Sequence, residues 1–220
     1  MAKELEILES KFKSRFKRFG GEKIPDVIEY LKDYIAKSPD LTISIGCDSI
    51  QKRRRTVYAI TIMMYDSDIK NGAHVIFFRD SVDKIRDIEN RLGKEAVYMY
   101  ELGTYLDETL SGLYTRRDIS EIERKRYKFH IAKSNGEYPH VSIFNEAEVI
   151  ENLYLSSADL AVNFKLVDIH LDFNPVENAK NKSNVAYKQY APWLRGIGYR
   201  VFAKHLSFAA SSAADLLVQD

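Results

Sequence analysis

Hydrophobic and polar positions follow a helical period in the first part of the chain. Apolar residues recur every three or four positions among lysines and arginines, which predicts a basic amphipathic helix over residues 2–18. A second helix is predicted after Pro25. The apolar stripe of helix 2–18 favours packing on the main domain, and docking on a protein partner, a second copy or a membrane surface is the alternative.

From residue 41 the pattern becomes typical of β-structure. Three β-rich runs, 41–50, 56–65 and 73–78, are separated by short polar turns, which predicts an antiparallel meander. Residues 84–110 then carry apolar side chains at intervals of three and four, which predicts one long helix across the sheet.

The rest of the chain alternates helical and strand patterns after a charged segment. Residues 112–144 are strongly charged and predict an insertion containing a hairpin. Beyond it we predict a helix over 145–161, a strand over 166–173, a helix over 182–197, a strand over 199–203 and a helix over 207–218. Strands joined through helical crossovers should be parallel, so the order predicts a mixed sheet with flanking helices.

Composition narrows the function only slightly. The 33 Lys+Arg residues nearly cancel 32 Asp+Glu, so a nucleic-acid partner would have to be bound by local patches. The single cysteine, Cys47, excludes an internal disulfide framework and does not indicate a zinc site. No apolar run approaches the length of a membrane span, and we expect a soluble protein of the cytoplasm, the host cytoplasm if it is phage-encoded.

Two carboxylates stand at unexpected places in apolar elements. Asp48 lies near the end of the first strand, where an acid is costly unless it is solvated, paired or metal-bound, and Gly46 on the same face leaves room for a ligand. The alternative is a turn or cap residue. Glu95 falls on the core-facing stripe of the long helix, and its alternative role is a salt bridge to Arg91.

Two further acids lie late in the chain. Asp172 shares one strand face with Asp168 and His170, although a solvated edge strand would also explain that pattern. Asp215 follows a run of small residues that permits the last helix to approach the sheet closely.

The order of these acids, on strand, helix, strand and helix, resembles the ribonuclease H-like superfamily. Within it, the chain is most similar to the YkuK-like family of ribonuclease H-related nucleases. The matching text is IGCDSIQ, RLGKEAVYMYEL, IHLDF followed by NKSN, and WLRGIGYRVFAKHLSFAASSAAD. The chain departs from such motifs in Cys47, where Thr is usual before the Asp, and in Lys204-His205, where Lys-Pro is expected.

The resemblance implies an α/β ribonuclease H-like domain over residues 39–220 with a mixed five-stranded sheet, preceded by a helical extension over 1–38. It also implies that four acids bind Mg²⁺ or Mn²⁺, as two ions, during phosphodiester hydrolysis. These acids are Asp48, Glu95, Asp172 and Asp215. His205 would shuttle a proton, and its alternative is a surface loop histidine.

Basic clusters would supply contacts to nucleic acid. They are Lys52, Arg53, Arg54 and Arg55 after the first strand, Arg124, Lys125, Arg126 and Lys128 in the insertion, and Lys180, Lys182 and Lys204 later in the chain. Charge runs are more often solvated turns. The resemblance thus implies a metal-dependent nuclease acting on RNA, DNA, hybrids or junctions. The alternative is a non-catalytic nucleic-acid- or protein-binding module, or an assembly protein that docks through helix 2–18.

Overall fold

The computed structural model describes residues 2–38, 41–66, 73–113, 165–175, 183–204, 207 and 209–219. These residues belong to one compact unit, formed by the chain up to residue 115 and from residue 165 onward. The predicted insertion beyond residue 113 and the predicted helix 145–161 lie outside the described residues.

The described helices and strands follow the predicted order, except that the strand at Lys17–Arg18 was not predicted and the last predicted helix begins as a π-helical turn. The helices are α1 (Ala2–Phe12), α2 (Val27–Lys37), α3 (Ile88–Leu110), α4 (Ser183–Gly196) and α5 (Asp215–Gln219), which continues from a π-helical turn at Ala209–Ala214. The strands are β1 (Lys17–Arg18), β2 (Leu41–Gln51), β3 (Arg55–Asp66), β4 (Ala73–Asp83), β5 (Asp168–Leu171) and β6 (Arg200–Phe202).

The described strands form one mixed sheet in the order β1-β4-β3-β2-β5-β6. Strands β2, β3 and β4 are antiparallel neighbours, whereas β5 runs parallel to both β2 and β6. The predicted meander and the predicted parallel strands are therefore confirmed. Within the described residues the sheet has six strands, where five were predicted, because the two-residue strand β1 pairs with the edge of β4.

The predicted helix over 2–18 is too long. Helix α1 ends at Phe12, and Phe16 reaches the same core from the chain that leads into β1. Both rings pack on Phe78, so the four-residue spacing between the phenylalanines is maintained by a turn and not by a further helical turn. The helical spacing of apolar residues thus continued beyond the helix itself.

The N-terminal region packs on the main sheet. Leu8, Phe12 and Phe16 are buried in one hydrophobic core with residues of β2, β3, β4 and α3. The division into an extension over 1–38 and a domain over 39–220 stays a prediction. Among the described helices, none is long and apolar enough to cross a membrane.

Helix α3 begins later than the pattern predicted. The side chain of Asp87 accepts a hydrogen bond of 2.8 Å from the Asn90 amide and caps the helix, so residues 84–87 precede it. The stripe that includes Leu92, Met99 and Leu102 is buried. This orientation turns Glu95 towards the sheet.

Different segments pack on the two faces of the sheet. On the face that we call the rear face, Tyr58 donates a hydrogen bond to a carbonyl of α3. On the front face, Ala59 and Phe77 pack with Leu217 and Val218 at the end of the chain. Asp48 is paired in register with Ala59, so its side chain also lies on the front face.

A buried ion pair joins β5 to β6. Arg200 and Asp168 lie side by side in register, with exposed side-chain fractions of 8% and 0%. The Arg200 Nε atom donates to Asp168 Oδ1 over 2.8 Å.

We expect Arg200→Met to lower the free energy of unfolding by about 3–5 kcal/mol, because it leaves a buried carboxylate without its cation. Urea denaturation of the variant and wild type measures this. The control is Lys32→Met, which breaks an exposed pair with Glu29 and should cost less than about 1 kcal/mol. Equal losses in both variants would contradict a stabilising role for the buried pair.

Candidate active site

Asp48 and Asp172 lie at the ends of neighbouring parallel strands. The last registered pair of β2 and β5 joins Cys47 to Leu171, and each aspartate is the next residue of its chain. Neighbouring residues in register point to the same face of a sheet. Both carboxylates therefore lie on the front face and at the same end of the sheet.

Glu95 approaches this end of β2 from α3. Its side chain is 1% exposed and accepts a hydrogen bond from the Ser49 hydroxyl at Oε1. The second oxygen, Oε2, is buried and has no hydrogen-bond partner among the described residues. A buried carboxylate oxygen without a donor is costly, and its chemistry suits a cation.

Arg91 holds Ser49 more closely than it holds Glu95. Its Nη1 atom donates to the Ser49 carbonyl at 2.6 Å and to the Ser49 hydroxyl at 2.7 Å. The distance from the same atom to Glu95 Oε1 is 4.0 Å, at the limit of an ion pair. The salt bridge proposed as the alternative for Glu95 is present, but it is the weaker contact. Sequence reasoning missed Ser49, whose position beside Asp48 on the opposite face of β2 was the available signal.

Asp215 is the first residue of α5 and is partly exposed. The preceding π-helical turn lies directly on β2. A Cβ atom at Gly46 would be 2.3 Å from the Ala209 carbonyl carbon and 2.4 Å from the Ala210 nitrogen. The expectation that Gly46 leaves room for a ligand is therefore wrong, since the backbone of the last segment fills that space.

We expect Gly46→Ala to lower the free energy of unfolding by about 1–3 kcal/mol, because a methyl group there must displace the backbone that leads to Asp215. Thermal or urea unfolding measures the loss. Gly196→Ala is the matched control, since that Cβ meets nothing within 4 Å. The control should be neutral or more stable by up to about 1 kcal/mol. If both variants are equally stable, the close contact is not required.

The acids influence one another electrostatically. Burial raises the pKa of Asp48 to about 7, the Ser49 amide opposes this rise, and the charges of Asp172 and Asp215 add to it. Burial also raises the pKa of Glu95 well above its usual value, with further contributions from Asp48 and Asp172. Each of the other three predicted acids is thus electrostatically coupled to Asp48. Asp172 and Asp215 raise its pKa, and Asp48 in turn raises the pKa of Glu95.

The acids do not form a closed ligand set. Within the part of the chain that the structure describes, no group of three or more His, Cys, Asp and Glu side chains is arranged to hold a metal ion. The chemistry of the donors nevertheless fits a hard cation, because they are carboxylate oxygens and one buried oxygen has no donor among the described residues.

Two of the five histidines, His170 and His205, lie near the acids in sequence, and they differ. His170 is buried, accepts a hydrogen bond of 3.1 Å from the Ala209 amide at Nδ1 and packs against Phe202. It anchors the last segment to the front face. His205 lies outside the described residues, so its predicted role in proton transfer stays a prediction.

Basic residues flank the same end of the sheet. Lys52, Arg53, Arg54 and Arg55 are exposed around the turn between β2 and β3, a few residues beyond Asp48. Lys204 is exposed, and its amide donates to the Phe173 carbonyl at 3.2 Å, which places it beside the residue after Asp172. The remaining predicted basic residues, Arg124, Lys125, Arg126, Lys128, Lys180 and Lys182, lie outside the described residues.

Comparison with known proteins supports the fold. A family model described as Ribonuclease H-like matches residues 26–133. Among curated proteins and among solved structures, none matches the chain. The matched segment includes Asp48 and Glu95, whereas Asp172 and Asp215 lie beyond it. The narrower similarity to the YkuK-like family stays a prediction.

Proposed function

Because this chain contains a ribonuclease H-like domain, we propose that it is a divalent-metal-dependent nuclease that hydrolyses phosphodiester bonds. One observation carries the proposal. Glu95 is a buried acid and Asp48 a partly buried one, each is affected by neighbouring acids, and Glu95 Oε2 has no hydrogen-bond partner among the described residues. Such an arrangement costs stability unless a cation compensates it, so it indicates a site kept for chemistry.

Mg²⁺ or Mn²⁺ would be held by Asp48, Glu95, Asp172 and Asp215. When bound, such ions supply a water nucleophile at neutral pH and stabilise the leaving oxygen. The acids themselves would be held in place by the sheet, by α3 and, for Asp215, by α5. Ser49 donates to Glu95, and Arg91 holds Ser49 through its hydroxyl and carbonyl oxygens. These hydrogen bonds position the Glu95 carboxylate, and Arg91, at 4.0 Å from Oε1, compensates its negative charge only weakly.

The turn between β2 and β3 would bind the phosphate backbone. Lys52, Arg53 and Arg54 are exposed there, and no carboxylate of the described residues pairs with them. Uncompensated cations at the same end of the sheet as Asp48 favour a polyanionic substrate. Phosphate contacts carry no information on the sugar, so these residues suit RNA, DNA or a hybrid equally.

A non-catalytic nucleic-acid-binding module is the second candidate. It is favoured by the absence, among the described residues, of three acids already arranged around one metal position. In that case the basic turn would still bind nucleic acid, and the acids would support no metal-dependent cleavage. Cleavage distinguishes the two candidates.

The test is incubation of the full chain with labelled RNA, DNA, hybrid and junction substrates, with Mg²⁺, with Mn²⁺ and with chelator. We expect cleavage of at least one substrate in either metal and none with chelator. Binding of the substrates without cleavage in either metal would support the binding module and contradict the nuclease.

A further inference from the structure

A basic and aromatic surface surrounds the edge strand β1. After this strand, Gly20 and Gly21 form a tight turn in which Gly21 has φ of 85° and Arg18 donates to the Glu22 carbonyl at 2.9 Å. The returning chain brings Lys23 opposite Lys17 in an antiparallel bridge. Phe19 lies at the tip of the turn between the two lysines.

Phe19 is a large aromatic side chain that is 54% exposed. Its ring centroid lies 5.7 Å from that of Phe77, which is itself 4% exposed. The Nζ atom of Lys17 lies 4.9 Å from the centroid of the same Phe77 ring. Phe19 thus rests on a packed aromatic residue and leaves much of its own surface to solvent.

The two lysines differ from the other cations of this region. The neighbouring cations have carboxylate partners: Lys11 with Glu101, Lys13 with Glu9, Arg15 with Asp80 and Arg18 with Glu22. Neither Lys17 nor Lys23 pairs with a carboxylate of the described residues. Their positive charge is available to an anionic partner.

This surface lies on the front face, as does Asp48. Register connects Lys17 to Phe77, Phe77 to Thr61 and Thr61 to Gly46, two residues before Asp48 on β2. From strand spacing and residue rise, Lys17 is about 16 Å from Asp48. The last segment covers the front face between these two points, where Ala209 lies on Gly46 and Leu217 packs with Phe77, so a strand that reaches both would have to pass around this segment.

We infer that Lys17, Phe19 and Lys23 bind single-stranded nucleic acid, with a base stacked on Phe19 and phosphates at the two lysines. An exposed aromatic ring between cations is the arrangement by which proteins hold unpaired bases without reading their sequence. A paired base within a duplex does not offer its face to such a ring. The inference rests on the proposed nuclease function only in treating the bound strand as the substrate of the site at Asp48.

The test measures binding of a fluorescent single-stranded oligonucleotide of about 12 nucleotides, within the site sizes of about 4–16 nucleotides that are usual for single-strand-binding grooves. Full-length protein is used with chelator, so that binding is observed without cleavage. We expect Phe19→Leu to weaken binding about 10-fold, because it keeps Phe77 covered but removes the stacking ring. Phe19→Tyr keeps the ring and should bind within about 2-fold of wild type.

The lysines are tested by the salt dependence of binding. Lys17→Gln with Lys23→Gln should lower the slope of log affinity against log salt by about 1.4, since each phosphate contact on a single strand contributes about 0.7. The charge-matched control is Lys32→Gln with Lys37→Gln on α2, a helix of the rear-face core, and it should leave the slope unchanged. Unfolding midpoints confirm that each variant is folded.

Several results would overturn the inference. These are no oligonucleotide binding by wild type, an unchanged affinity in folded Phe19→Leu, or an unchanged slope in the lysine variant. A lysine variant that loses binding to phosphatidylserine vesicles, yet binds the oligonucleotide as wild type does, would assign the surface to a membrane. If oligonucleotide binding depends on Phe19 but the protein cleaves no substrate, the inference about this surface is supported and only the proposed nuclease activity is contradicted.

Discussion

Asp48→Asn should reduce metal-dependent cleavage more than any other single change described above. The substitution keeps the shape of the side chain but removes the carboxylate of a proposed metal ligand at the end of β2, where Asp172 is its neighbour. Changing an outer-shell partner of a metal site typically costs 10- to 100-fold, so we expect a loss above about 100-fold here. Initial rates on the best substrate of the panel, in saturating Mn²⁺, measure the loss.

Asp33→Asn is the matched control for this loss. Asp33 is an exposed residue of α2, so its substitution makes the same chemical change away from the site. The control should cleave at the wild-type rate. Equal rates in Asp48→Asn and wild type would remove Asp48 from the catalytic site, whatever the cause of its raised pKa.

The second large effect is on the stability of the metal-free protein against pH. Asp48 has a pKa of about 7 in the folded chain and one of about 3.9 when unfolded. Between these values the folded state retains a proton that the unfolded state has lost, so stability falls as pH rises. The stabilising contribution is complete below about pH 4 and is lost through about pH 7. The loss is up to about 4 kcal/mol, since each pKa unit corresponds to about 1.4 kcal/mol.

The difference between Asp48→Asn and wild type isolates this effect from other titrating groups. In chelator, the variant should gain stability relative to wild type as pH rises from about 4.5 to 8, because it carries no charge there. Urea denaturation at several pH values gives the free energies of unfolding. A difference that stays constant over this range, or that favours wild type at pH 8, would contradict the raised pKa.

The sequence predicted the fold largely through periodicity. The alternating runs of β2, β3 and β4, the three-and-four spacing of α3 and the short turns between strands determine the meander and the helix across it. Glu95 was predicted to face the core because its neighbours on the stripe are apolar, and it is buried. Such inferences succeed because they depend only on spacing along one element.

Contacts between distant elements were harder to predict. Gly46 looked like space for a ligand, since the sequence does not reveal that Ala209 and Ala210 occupy it. The position of Ser49 on β2 placed its hydroxyl on the face opposite Asp48, but spacing along β2 does not reveal that Glu95 of α3 lies within hydrogen-bond distance. Strand β1 was hidden by Phe16, whose spacing from Phe12 continued the helical pattern.

The central claim is that Asp48 and its neighbouring acids bind a divalent cation, and Mn²⁺ binding measured by isothermal titration calorimetry tests it most directly. At about pH 6.5, in buffers of different ionisation enthalpy, wild type should bind Mn²⁺ saturably and release a proton, because metal binding requires the ionised form of Asp48. Asp48→Asn should bind at least about 10-fold more weakly, with less proton release. Equal affinity and proton release in both proteins, or no saturable binding to wild type, would contradict the account.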